Sequence, residues 1–152
     1  MKRQLIIITL MALTSISGNG QTRKVIFVCE HGAGKSVVAA AYFNKIAKDR
    51  NLDWEASCRG TDPDEEVSTP TKDGLRADNL LDPTLSPKKL AQGDTSNLEK
   101  IILFTKLPDD FNTSIKSEDW SSLPNIDAKY EVRRDALIKK INEFFDSIEK
   151  QK

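Results

Sequence analysis

The run Val25-Ile26-Phe27-Val28-Cys29 is β-branched and aromatic, carries no polar alternation, and gives way at once to Gly32 and Gly34. A strand of that kind is buried on both faces, which is the habit of interior strands in parallel sheets. The residues after the glycines, Ser36 to Lys48 (SVVAAAYFNKIAK), are rich in alanine and place Val37, Ala40, Ala41, Phe43 and Ile46 on one helical face. A buried strand, a glycine loop and a helix in that order dictate a crossover to a parallel neighbour, because parallel strands cannot be joined by a tight turn.

The rest of the chain repeats the alternation. Asp53 to Ser57 (DWEAS) predicts a second strand, and Arg59 to Thr71 is polar and turn-rich, a loop. Thr71 to Leu81 predicts a helix with Leu75, Leu80 and Leu81 as its apolar set. Ser86-Pro87 predicts a helix start, with Ser86 at the N-cap and Pro87 in the first turn. Leu98 to Thr105 (LEKIILFT) is the clearest later strand, and Trp120 to Ile126 predicts a short strand and loop around Pro124. Asp127 to Lys150 predicts a closing helix with Val132, Leu137, Ile138, Ile141, Phe144, Phe145 and Ile148 inward. The expected fold is α/β: a single domain with a four-stranded parallel sheet and helices on both faces. In such sheets the ligand site lies beyond the carboxyl ends of the strands, where Cys29 falls.

Residues 1–20 stand apart from this pattern. Lys2 and Arg3, the apolar run Leu5 to Leu13, and the small, polar stretch from Thr14 to Gln21 have the order of a secretory signal peptide. The apolar run falls short of the roughly 20 residues that a membrane-spanning helix needs. The expectation is an exported domain, periplasmic or secreted, occupying residues 21–152 and free of the membrane once the signal is removed. The 23 basic and 23 acidic side chains balance over the full chain. Loss of Lys2 and Arg3 leaves the remainder slightly acidic, so nucleic acid is not the expected partner. At 38% hydrophobic and 30% charged, the composition is that of an ordinary globular domain.

The loop itself carries the chemistry. A glycine-containing turn between a buried strand and a helix can aim its backbone N–H groups inward and make an anion seat, with the helix dipole behind it. Cys29 at the mouth of that seat is a candidate nucleophile, since the same field favours its thiolate. Lys35 adds a cation and the Ser36 hydroxyl a donor to sulfur. Glu30, His31, Gly32, Ala33, Gly34 and Lys35 are the candidate anion-binding residues, joined by Arg59. Thiolate, cradle and cation together suit attack on phosphorus.

Other readings of the same residues stand beside this one. Gly34-Lys35-Ser36 matches the end of a Walker loop, although Cys29 occupies the place of that loop's first glycine. Cys29, His31 and Cys58 would make a partial zinc or copper site with no fourth ligand evident. Cys29 and Cys58 would also suit a thiol-redox pair, and Cys29 alone also fits a small buried residue ending a strand. No cofactor or metal is called for by the phosphoryl-transfer reading.

Cysteine, five residues, a cation and Ser36 resemble the nucleophile loop of the low-molecular-weight protein tyrosine phosphatases and the thioredoxin-linked arsenate reductases. The family pattern has arginine where this chain has Lys35. Ser57-Cys58-Arg59-Gly60-Thr61 is similar to the family's turn after the second strand. Pro83, Ser86-Pro87, the Lys100–Thr105 strand, and Trp120, Pro124 and Arg134-Asp135 follow in family order. The resemblance implies the α/β fold above, a small phosphorylated or oxyanion substrate, and hydrolysis of a phosphomonoester through a cysteinyl phosphate. It implies catalytic roles for Cys29, Lys35 and Ser36. The family's general acid is an aspartate before proline; no such pair follows Trp120, and Asp127 is the candidate acid or else the cap of the last helix. A non-catalytic phosphate- or arsenate-binding module is the alternative, as is reductase-like redox chemistry, for which the family uses two further downstream cysteines that residues 90–130 lack.

Overall fold

The computed structural model describes residues 20–125 and 128–150. Residues 1–19, which make up nearly all of the expected signal, and Asp127 lie outside the described residues. The elements run β1 (Arg23–Cys29), α1 (Lys35–Asp49), β2 (Trp54–Gly60), α2 (Thr69–Ala77), β3 (Leu98–Leu103), β4 (Ser117–Asp119) and α3 (Tyr130–Glu149). A single 3-10 turn, Gln92–Thr95, precedes β3. The sheet runs β2-β1-β3-β4 and every pair is parallel. After β1 the chain goes to one side for β2 and to the other for β3, so the strand order reverses beside β1. That reversal opens the crevice in which open α/β sheets bind ligands.

β1 is buried on both faces, as its sequence requires. Val25 and Phe27 join the larger apolar cluster with α1 and α3, whereas Ile26 and Val28 face the other way. On the first side Phe43 of α1 sits among Phe27, Trp54, Phe144 and Phe145, with ring centroids 4.6–6.0 Å apart. These tilted and edge-on arrangements are the favourable ones for aromatic pairs. On the second side Ile26, Val28 and Ile101 are covered by Leu90, Leu107, Phe111 and Ile115, which come from the segments flanking the 3-10 turn and from the chain between β3 and β4. Asp78, at the end of α2, accepts hydrogen bonds from Tyr42 of α1 at 2.6 Å and Tyr130 of α3 at 2.8 Å, tying all three helices together.

Several boundaries differ from the expectations, each for a visible reason. β2 continues through Cys58 and Arg59 to Gly60 because it pairs residue for residue with β1 as far as Cys29. α2 ends at Ala77, where Asn79 turns into the left-handed region (φ 57°), and Leu81 is left exposed. No helix starts at Ser86. Lys89 instead forms a parallel bridge with Gly60, and the Gly60 amide donates to the Lys88 carbonyl at 2.8 Å, so this segment extends the sheet edge. The fourth strand precedes Trp120 rather than following it; Trp120 packs beyond the strand end, its amide donating to the Leu103 carbonyl at 2.7 Å. In α3 the inward face is Tyr130, Arg133, Leu137, Ile141, Phe144 and Phe145. Val132 is off that phase and 51% exposed, which corrects its place in the apolar set.

Candidate functional site

The loop between β1 and α1 owes its shape to the strand beside it. Four of its carbonyls are taken by the segment that follows β2: Cys29 accepts from the Thr61 amide, Glu30 from Asp62, His31 from Asp64 and Ala33 from Ser68, at 2.9–3.0 Å. In a trans peptide the N–H points opposite the preceding carbonyl. Carbonyls 29, 30, 31 and 33 face outward, so amides 30, 31, 32 and 34 are directed inward. The Gly32 amide bears this out, donating to Cys29 Sγ at 3.1 Å. The turn works only because two glycines meet. Gly32 has φ +62°, and a Cβ on Gly60 would come within 2.8 Å of the Glu30 carbonyl oxygen and 2.9 Å of the Gly32 nitrogen.

Cys29 is half-buried, with Ser36 Oγ 3.0 Å and the Gly32 nitrogen 3.1 Å from its sulfur. Once the sulfur is a thiolate, both groups donate to it, which stabilises the charge. Ser36 is fully buried in the first turn of α1. Its N-terminus supplies the positive end of the helix dipole. Lys35 is 8% exposed; its Nζ donates to the Leu123 carbonyl at 3.0 Å and lies 5.3 Å from the Phe104 ring centroid. Burial pushes the Lys35 pKa down; the Cys29 charge opposes that shift and the Arg133 charge adds to it.

A cleft of about 210 Å³ opens over the sulfur, lined by Cys29, Glu30, His31, Gly34, Lys35, Phe104, Thr105 and Asn125. This is below the ~300 Å³ at which pockets for drug-sized ligands begin, so its occupant is small. Glu30 and His31 stand exposed at the rim, with His31 Nδ1 3.3 Å from Asp64. Ala33 is buried. Phe104, Thr105 and Asn125 were not among the residues expected here. Thr105 closes the predicted third strand, and Asn125 lies two residues before Asp127, so position beyond a strand end was the available signal.

Arg59 does not join the site. Its guanidinium donates to Asp94 Oδ1 at 2.7 and 3.0 Å and to its own neighbour's carbonyl, Cys58 O, at 2.7 Å. Side chains alternate across a strand. Cys58 points with Phe27 into the core, so Arg59 points to the opposite face of the sheet, away from the sulfur of Cys29.

Cys58 is 2% exposed, and burial pushes its thiol pKa up to about 11, so it is a poor nucleophile. Both cysteines are free thiols. Cys58 stands opposite Phe27, two residues from the level of Cys29. With ladder spacing of about 4.8 Å and a rise of about 3.3 Å per residue, their Cα atoms are about 8 Å apart. A disulfide tolerates at most about 7 Å without backbone movement. Among the described residues no group of three or more His, Cys, Asp or Glu side chains is placed to hold a metal.

This chain has the fold of solved low-molecular-weight protein tyrosine phosphatases and arsenate reductases. A thioredoxin-dependent arsenate reductase from Corynebacterium glutamicum superposes with TM-score 0.71 at 20% identity over 86% of this chain. The chain spans 64% of that reductase's length. A low-molecular-weight protein tyrosine phosphatase from T. tengcongensis gives 0.68 at 19% identity, covering 82% of this chain and 99% of that one. An arsenate reductase solved in a phosphate-binding state gives 0.67 at 16% identity, covering 83% and 98%. No family model and no curated protein matches the sequence.

Proposed function

We propose that the protein is a cysteine-dependent phosphatase acting on a small phosphomonoester. The observation that carries this reading is the sulfur of Cys29, contacted by the Gly32 amide and the Ser36 hydroxyl, lining a cleft at the N-terminus of α1. The Cys29 thiolate attacks phosphorus, forming the S–P bond as the ester O–P bond breaks. The leaving oxygen takes a proton, for which Asp127 is the proposed donor, two residues beyond the cleft residue Asn125. Water then attacks phosphorus, the S–P bond breaks, its proton returns to the carboxylate, and inorganic phosphate leaves. The loop amides and Lys35 hold the non-bridging oxygens as charge builds on them. We place this activity outside the cytoplasm, on the export signal read in residues 1–20.

The test is hydrolysis of an aryl phosphate by the wild type and by Cys29→Ser. The serine variant is expected to lose turnover by at least about a thousandfold while still binding phosphate, since an unactivated hydroxyl cannot replace a thiolate. Undiminished hydrolysis by the variant contradicts the mechanism. A second reading, an oxyanion-binding module without catalysis, draws on the Lys35 ammonium being engaged by the Leu123 carbonyl. It predicts phosphate binding by the wild type with no aryl phosphate turnover.

A further inference from the structure

Behind the cleft lies positive charge that nothing among the described residues neutralises. Arg133, in the first turn of α3, is 2% exposed, and its Nε and Nη1 have no hydrogen-bond partner among the described residues. Lys35 is nearly as buried, and among the described residues its Nζ donates only to a carbonyl oxygen, that of Leu123. An unpaired buried guanidinium is costly to desolvate, and an apolar side chain of similar size would remove that cost. Its orphaned donors therefore require an account.

Helix packing brings the two cations to the same end of the fold. α1 and α3 run side by side in the same direction, since Arg50 at the end of α1 reaches Asn142, Asp146 and Glu149 near the end of α3. Followed back from there, Lys35 and Arg133 lie in the first turns of the two helices, at the sheet end where β1 delivers Cys29. The Arg133 charge is felt at Lys35, where it adds to the lowering caused mainly by burial. The only carboxylate lining the cleft among the described residues is Glu30, exposed at the rim.

We propose that Arg133 is the second cation of the Cys29 site, and that it and Lys35 together commit the site to a doubly charged tetrahedral oxyanion. The inference rests on reading the loop as an oxyanion seat and narrows its ligand to dianions, the charge state of a phosphomonoester, over singly charged diesters. Arg133 does not line the cleft. It acts through Lys35 and through its field, which a dry interior transmits strongly. It is a positioning residue, and it returns from α3 a guanidinium charge that position 35 of the loop does not carry.

The experiment measures protection of Cys29 from alkylation by iodoacetamide at mildly alkaline pH; Cys58 is too buried to compete. The probes are inorganic phosphate and perchlorate, tetrahedral anions of two charges and one. In the wild type phosphate is expected to protect at concentrations at least about tenfold lower than perchlorate. In Arg133→Met phosphate affinity falls about tenfold, perchlorate changes little, and thermal stability holds or rises. Arg133→Lys recovers most of the phosphate affinity. Equal phosphate affinity in wild type and Arg133→Met overturns the inference, and so does a wild type that does not prefer phosphate, an outcome that stands whether or not a variant folds. If Arg133→Met is lost to misfolding, Arg133→Gln replaces it with the same expected outcomes. These results are separable from the proposed reaction: aryl phosphate turnover with Arg133-independent phosphate binding sinks only the second cation, and Arg133-dependent binding without turnover sinks only the catalysis.

Discussion

Lys35 enters the site as the first residue of α1, with a single acceptor for its ammonium among the described residues, the Leu123 carbonyl at 3.0 Å. Arginine at this place would offer a planar fork able to hold two oxygens of one anion, whereas lysine offers a point charge on a flexible stem. The reaction gathers charge on those oxygens, so the difference falls on the transition state more than on substrate binding. Lys35→Arg is therefore expected to raise kcat for an aryl phosphate by about tenfold with KM little changed. A fall in kcat would show that the cleft is shaped around the lysine and its Leu123 contact. Cys29, Ser36 and the loop glycines were legible in the sequence because their spacing alone sets strand, turn and helix. Arg59 was not, because its charge was visible but its face was not: β2 runs on past Ser57 to Gly60, and the alternation of that strand turned it away from the sulfur.

At the scale of elements, the site is made by two strand ends pressed together. β1 delivers Cys29, and β2 ends on Gly60, against which the loop backbone lies with no room for a Cβ. The obstructing atoms are backbone, the Glu30 carbonyl and the Gly32 nitrogen, so they cannot swing aside as a side chain would. Gly60→Ala should displace the loop, destabilise the protein by about 2–3 kcal/mol, and expose Cys29 to faster alkylation. Chemical denaturation read beside alkylation rate checks both; an alanine variant with wild-type values for each would show that the close approach is not needed. Strands with unbroken apolar runs were readable almost to the residue. The segment around Ser86-Pro87 was not, since local capping chemistry points to a helix there while the open edge of β2 offers the Lys88 carbonyl and the Leu90 amide as ladder partners. Tertiary pairing prevailed over local preference, as it did where Arg133 took the inward position that apolar periodicity had assigned to Val132.

For the whole molecule, the parallel sheet and its reversal beside β1 put Cys29, the N-terminus of α1, the end of β3 and the first turn of α3 at one edge. The aromatic cluster of Phe27, Phe43, Trp54, Trp120, Phe144 and Phe145 fixes α1 and α3 against β1, and so fixes the loop that joins β1 to α1. That architecture was foreseeable from alternating apolar strands and helices; the arrival of Lys35 and Arg133, nearly a hundred residues apart in sequence, at the same end of the fold depends on helix phase and was not. The central claim is that Cys29 is a nucleophile toward phosphorus. Its most direct measurement is rapid quenching of the wild type during turnover of an aryl phosphate, followed by peptide mass analysis. The account predicts a burst of phenol release matched by a phosphoryl group on the peptide carrying Cys29, and none on Cys58. Phenol release with no phosphoryl group on that peptide would contradict it.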